Sequence, residues 1–356
     1  MDPVKAAPSV TLKPPFPWFG GKSRAAQLVW SRFGDVTGYV EPFFGSGAIL
    51  FRRPVPFSGV ETVNDADGFV ANFWRATQRD PEAVAYHADN PVNENDLHAR
   101  HSWLVREAAP DLVSRLEGDP DYFDAKVAGW WAWGISCWIG SGFCSGKGPW
   151  QSVVGDDGIA RLLNIGNSGQ GVKRQLPHLG NAGQGVNRKL PHLGDAGKGV
   201  NRQLPLTDYF LALADRLRDV RVCCGDWSRV MGPSVVRGPS RSAGSRVAIL
   251  LDPPYADTAN RESDLYRVDC QSVAHQVRAW AIANGDNPQY RIALCGYDGE
   301  HAMPGSWECV EWKAGQGYGS QGRDGYANAN RERIWFSPAC VKVGRAAMLP
   351  LTEVAS

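Results

Sequence analysis

The run Val247-Ala-Ile-Leu-Leu251 is apolar at every position and stops at Asp252-Pro-Pro-Tyr255. Five apolar residues without alternation suit a strand covered on both faces, which is the situation of a parallel strand inside an α/β sheet. Two prolines directly after it can extend neither a ladder nor a helix, so the chain turns there with Asp252 at the strand end. Other segments follow the same grammar. Gly38-Tyr-Val-Glu41 leads into the glycine-rich turn Pro42-Phe-Phe-Gly-Ser-Gly47 and then Ala48-Ile-Leu-Phe51, a pattern of strand, turn and helix start. A second strand is expected from Gly59 to Val63, ending at Asn64-Asp65, followed by a helix from Gly68 to Gln78 with Phe69, Val70, Phe73 and Trp74 at helical spacing. A helix over Asp208–Arg218 precedes a strand Val220–Cys224 that ends in Gly225-Asp226-Trp227. Further strands are expected at Arg291–Cys295, Trp307–Trp312 and Ile334–Phe336, with a glycine-rich loop from Gly315 to Gly325.

The middle of the chain reads as an insertion. Helical patterns alternate with polar breaks from Asp80 to Gly129, and Trp130, Trp131, Trp133, Trp138 and Trp150 then crowd into a short stretch, a cluster that reads as core. Three copies of a unit with a 14-residue period follow, beginning at Gly166, Gly180 and Gly194 and each carrying Leu-Pro at its eleventh and twelfth positions. Three glycines and a proline per unit are too short and flexible for a helical solenoid, so extended loops or short hairpins are expected. The whole chain of 356 residues has a formal net charge of only +1, yet between Arg161 and Leu206 seven basic residues face the single acid Asp195. Such a local basic patch suits a polyanion, although a solvated loop without contacts explains it as well. The length exceeds one ordinary domain. We therefore expect residues 1–75 plus 207–356 to form one unit and residues 76–206 to be inserted into it.

Several classes are set aside. No stretch approaches the roughly 20 apolar residues that span a bilayer, and no signal-like start is seen, so a cytoplasmic protein is expected. The eight cysteines have no C-x-x-C spacing and read as reduced, mostly buried thiols. His178 and His192 sit in the repeats without zinc-like partners, so no metal is expected.

In an open α/β sheet, ligands collect beyond the carboxyl ends of the strands. There the glycine turn would let backbone amides approach a ligand, and the acid at the second strand end suits ribose hydroxyls. Asp252-Pro-Pro-Tyr255 carries sharper chemistry. An aromatic amine is a poor nucleophile because its lone pair is delocalised. The Asp252 carboxylate and the Pro253 carbonyl can accept its two hydrogens and aim the nitrogen. Pro253 and Pro254 stiffen the turn, and Tyr255 would stack on the base. The plain alternative is a strand-to-turn junction with a capping Asp and a buried Tyr.

Taken in order, these motifs resemble the Dam-type family of adenine-N6 DNA methyltransferases, the D12 class, alpha group. The resemblance implies a Rossmann-like methyltransferase sheet that binds S-adenosylmethionine, with an inserted target-recognition domain. Pro17-Trp-Phe-Gly-Gly-Lys22 resembles the family element that contacts the cofactor, which assigns Trp18, Gly20, Gly21 and Lys22, the last near the cofactor carboxylate. Glu41, Pro42, Phe43, Gly45, Ser46 and Gly47 resemble its cofactor loop, with Glu41 in place of the usual Asp. Asn64 and Asp65 correspond to the ribose acid, and Asp226 and Trp227 to the element that reads the cofactor's adenine. Asp252, Pro253, Pro254 and Tyr255 form the catalytic motif, and Asn330-Arg-Glu-Arg-Ile-Trp335 resembles the closing strand. The insertion lies where the family reads DNA, so Lys173, Arg174, Arg188, Lys189 and Arg202 are expected to touch it. The repeat array itself has no counterpart in the family's recognition domain.

The expected activity is site-specific methylation of a flipped adenine in double-stranded DNA, by a monomer or homodimer in a bacterial or phage-infected cell. Two readings stay open beside it: a methyltransferase for another planar amine (RNA adenine, cytosine N4 or a protein amide), and a silent DNA-binding relative.

Overall fold

The computed structural model describes residues 12–18, 22–57, 59–138, 143–145, 150–154, 160–164, 206–236, 244–255, 272–312 and 331–342. Gly20, Gly21, the three repeats, the five basic residues assigned to DNA, Cys270 and the loop Gly315–Gly325 fall outside this set.

Helix α1 (Ala26–Phe33) leads into β1 (Gly38–Glu41) and β2 (Val60–Asp65). Five helices follow: α2 (Gly68–Arg79), α3 (Pro81–Ala88), α4 (Glu94–Trp103), α5 (Ala109–Gly118) and α6 (Ala125–Cys137). Four of their starts are capped by side chains, with Asp67, Asp80, Asn93 and Asp124 each accepting from a backbone amide two or three residues on. A π-helical turn, Leu104–Ala108, joins α4 to α5 just before Pro110, whose missing N–H breaks the regular α ladder there. An antiparallel hairpin, β3 (Trp150–Val154) and β4 (Ala160–Asn164), precedes the repeats. After them come α7 (Leu206–Leu217), β5 (Val220–Cys224), α8 (Pro233–Val236), β6 (Val247–Leu251), α9 (Val273–Asn284), β7 (Tyr290–Tyr297), β8 (Glu308–Glu311) and β9 (Glu332–Phe336).

The seven-stranded sheet has the order β5-β2-β1-β6-β7-β9-β8. Pairs β5–β2, β2–β1, β1–β6 and β6–β7 are parallel, while β9 runs against both β7 and β8. The connection leaves β1 toward β2 on one side and returns through β6 on the other, so the topological switch point lies between β1 and β6.

The apolar run of β6 is explained by two cores. Ala248 and Leu250 pack into one hydrophobic cluster, and Val247, Ile249 and Leu251 into a second on the opposite face. Neighbouring strands divide the same way, with Tyr39, Val63, Ala293 and Ile334 on the face of Leu250. That larger core also takes Phe69, Phe73 and Trp74 of α2, Val84 of α3, Trp131 and Trp133 of α6, and Phe210 of α7. The expected boundary between residues 75 and 76 therefore falls inside α2, and the helices beyond it share one core with the sheet.

One expected element differs. The stretch Ala48–Phe51 starts no α-helix. It makes a three-residue 3-10 turn, Leu50–Arg52, that stops before Pro54. So short a turn carries no useful helix dipole.

Candidate active site

The pleat places the chemistry. Because side chains alternate along a strand, two residues past Tyr39, Val63, Leu250 and Ala293 on their common face stand Glu41, Asp65, Asp252 and Cys295. Strand β9 is antiparallel, so its first residue, Glu332, opposite Tyr297, lies at the same edge, two positions before Ile334. Four carboxylates and a thiol thus line one edge of one face, astride the switch point.

Lys22 enters this edge from the N-terminal segment and is only 4% exposed. Its ammonium lies 3.0 Å from Asp252 Oδ1 and 3.8 Å from Glu332 Oε2, and it donates to the Tyr255 hydroxyl at 2.9 Å. That hydroxyl in turn donates to Glu332 Oε2 at 2.7 Å. Lys22 also lies over the Tyr255 and Trp312 rings, at 5.3 and 5.6 Å from their centroids. Lys22 thus joins the Asp-Pro-Pro-Tyr turn to Glu332 on β9.

Burial dominates the acid–base state of the cluster. It raises the Asp252 carboxyl above the ordinary carboxylate range, against the charge and hydrogen bond of Lys22 and the hydrogen bonds of Tyr255 and Cys295. Glu41 is raised further. Its burial outweighs the Tyr39 hydroxyl, which donates to Glu41 Oε2 at 2.7 Å, and Asp252 and Asp65 add repulsion. Glu332 is raised by burial against Lys22. The Cys295 thiol is held well up by burial and then by Asp252, so it stays protonated and is no nucleophile.

The glycine turn works differently from its sequence reading. Three of its amides are engaged within the protein: Phe44 N–H donates to Asn64 O, Gly45 N–H to Asp65 Oδ2 and Gly47 N–H to Phe44 O, each at 2.9 Å. The glycines instead provide left-handed backbone, with φ of 48° at Gly45 and 72° at Gly47. They also provide room, since a Cβ at Gly45 would collide with the Trp18 indole and one at Gly47 with Phe51. Asp65 thereby pins the turn, its other oxygen accepting from Asp67 N–H at 2.9 Å. Asn64 ties three strand ends together by donating to Pro42 O (3.1 Å) and Gly225 O (3.0 Å).

Of the remaining expected residues, Ser46 is buried inside the turn. Phe43 stacks on Trp227 with centroids 6.3 Å apart and planes 25° apart. Asp226 is exposed beyond β5 and accepts from Ser228 N–H at 2.9 Å. Pro253 is buried and Pro254 half-buried. Tyr255 is only 8% exposed and meets Tyr297 edge-on, centroids 4.5 Å apart. Its hydroxyl is tied to Lys22 and Glu332. Tyr39, Cys295 and Tyr297 lie outside the motifs read from sequence, and Glu332, although inside the closing-strand motif, was given no role in the site. The available signal was an acid opening the otherwise apolar-rich strand at Glu332.

The sheet order, the antiparallel β9 and the acidic switch-point edge define a Rossmann-like methyltransferase fold. The model of the family described as D12 class N6 adenine-specific DNA methyltransferase matches residues 18–104, consistent with a D12-class adenine methyltransferase and with DNA adenine methylation as the general activity. That match covers Trp18, Lys22, the glycine turn and Asp65, and ends before Asp226, Asp252 and Glu332. No curated protein matches the chain.

Proposed function

We propose that this chain transfers a methyl group from S-adenosylmethionine to the N6 amine of an adenine turned out of double-stranded DNA. The observation that carries the reading is the acidic switch-point edge, where Asp252 and Glu332 flank the Lys22 ammonium and Glu41 and Asp65 end the neighbouring strands on the same face. An edge with that surplus of carboxylate suits a cationic ligand, and S-adenosylmethionine carries both a sulfonium and an ammonium. When bound, it supplies an electrophilic methyl group and keeps the carbon–sulfur bonding pair as a thioether.

The residues fit that ligand in a definite division of labour. Trp18, the turn Glu41–Gly47, Asn64, Asp65, Asp226 and Trp227 would hold the cofactor. Asp252 accepts one amine hydrogen and the Pro253 carbonyl the other, localising the nitrogen lone pair toward the methyl carbon. As the new N–C bond forms, the surplus proton leaves nitrogen for the Asp252 carboxylate. Lys22 favours the ionised form of that carboxylate against its burial, and the buried thiol of Cys295 takes no covalent part. The inserted stretch 76–206, with Lys173, Arg174, Arg188, Lys189 and Arg202, is assigned to DNA.

The test is to incubate the protein with double-stranded DNA and S-adenosylmethionine, digest to nucleosides and identify the product by mass spectrometry. N6-methyladenine supports the reading. N4-methylcytosine alone, or no methylated nucleoside, refutes it.

A further inference from the structure

We infer that Glu332 is a positioning residue of this site, acting through Tyr255 and Lys22 to set the orientation and the ionisation of Asp252. The inference rests on the amine-methylation reading for its purpose, but its physical content is separate. Glu332 touches neither reacting atom in that scheme. It accepts from the Tyr255 hydroxyl at 2.7 Å and stands 3.8 Å from the Lys22 ammonium, while Lys22 donates to the same hydroxyl at 2.9 Å and bridges Asp252 at 3.0 Å. The four groups close a ring between the N-terminal segment, the turn after β6 and the first residue of β9. These elements are otherwise far apart in the chain.

Two consequences follow from that ring. Tyr255 is the last residue of the turn that carries Asp252, so anchoring its hydroxyl to β9 holds the end of the turn against the sheet. Glu332 also competes for Lys22. With one ammonium between two carboxylates, Asp252 is less completely neutralised than in an isolated pair and keeps acceptor strength for an amine hydrogen. Other groups bear on the same edge: Glu41 with Tyr39 on β1, Asp65 on β2, Cys295 and Tyr297 on β7, and Glu300 in the turn after β7. The Arg331 guanidinium lies over the Tyr297 ring, 5.1 Å from its centroid, while Lys22 is the cation that meets both Asp252 and Glu332.

The experiment compares wild-type protein with Glu332→Gln, which keeps the shape and an acceptor for Tyr255 but loses the charge. Without the second carboxylate, Lys22 serves Asp252 alone. The acid limb of the kcat–pH profile then moves down by roughly half a unit to one unit, and kcat falls about ten- to a hundredfold. KM for S-adenosylmethionine stays within about twofold, since Glu332 is not assigned to the cofactor. A limb that does not move overturns the inference. Should the Gln variant not fold, Glu332→Asp keeps the charge one methylene back: its limb stays at the wild-type pH with lowered kcat, and an unchanged kcat overturns the inference. Carbon-13 NMR of Asp252, assigned with Asp252→Asn, reads the same midpoint shift without DNA or cofactor. A shifted midpoint in a protein that forms no N6-methyladenine therefore sinks the methylation reading alone. An unshifted midpoint in an active enzyme sinks the role of Glu332 alone.

Discussion

Lys22 Nζ and Asp252 Oδ1 meet at 3.0 Å, joining the N-terminal segment before α1 to the turn that ends β6. The side chains are 4% and 22% exposed, so the pair is largely withdrawn from water while the carboxylate keeps an open side. Breaking a pair of this kind by removing one partner leaves the other charge buried, which is why its two residues should fail differently when substituted.

Asp252→Asn should abolish methyl transfer, by at least about a hundredfold, because the amide is a weaker acceptor than the carboxylate and cannot take the proton. Lys22 retains Glu332 and Tyr255 as partners, so the variant should stay folded. Tritiated-methyl incorporation together with near-UV circular dichroism checks both halves. A folded variant of near-normal activity would remove Asp252 from the chemistry.

Glu41 should make stability depend on pH. Its folded value lies well above 4.5, raised by burial and by neighbouring carboxylates, so its protonated form is favoured in the fold. The stabilisation is complete below the unfolded value and is lost as pH rises through the folded one. Glu41→Gln, which has no charge to bury, should gain on the wild type in urea midpoint as pH is raised from about 4.5 toward 8. A gap between the two that is independent of pH would contradict this.

Gly45→Ala should cost about 1–3 kcal/mol. The positive φ strains any L side chain, and the methyl group meets the Trp18 indole that covers the turn. Thermal melts give the loss, and Trp18 fluorescence should report a displaced ring. An unperturbed melting temperature would mean the turn is looser than its packing indicates.

Glu61→Ala should cost about 3–5 kcal/mol. Glu61 on β2 is buried between two guanidinium groups, accepting from Arg53 at 2.8 Å and from Arg216 at 2.7 and 2.9 Å, and both arginines flank the Phe57 ring. Arg216 belongs to α7, the helix that returns the chain to the sheet after the repeats, so the loss should appear as a weakened α7. Hydrogen exchange localised to residues 206–217 would show it, and uniform protection would refute it.

The triple variant Arg174→Ala, Arg188→Ala, Arg202→Ala should reduce the slope of log affinity for DNA against log salt by up to about 3, if each repeat neutralises one phosphate. An unchanged slope would make the array a solvated loop without DNA contacts.

Much of the sheet was legible because its strands are short apolar runs closed by Gly, Pro or Asp. Val220–Cys224 and Val247–Leu251 appear with the expected ends, and α2 and α7 differ from expectation by one or two residues. The glycine turn was recognised but its working was not. Whether an amide faces a ligand or Asp65 depends on how β1 and β2 pair, and no local pattern carries that. The surroundings of Tyr255 were not legible for a similar reason, since its ring meets Tyr297 and its hydroxyl bonds Glu332, both distant in sequence.

By itself, the order of residues determined which atoms end each strand: an acid at Glu41, Asp65 and Asp252, each after residues whose alternation or apolarity sets its face. That much follows from the two-residue period of the pleat. Only the tertiary structure decided that these acids share one edge with Glu332 and Lys22. Bringing them together requires an antiparallel last strand, a lysine from the opposite end of the chain, and enough burial for like charges to be held against one counter-ion. Those are long-range facts of packing that a run of neighbouring residues cannot express.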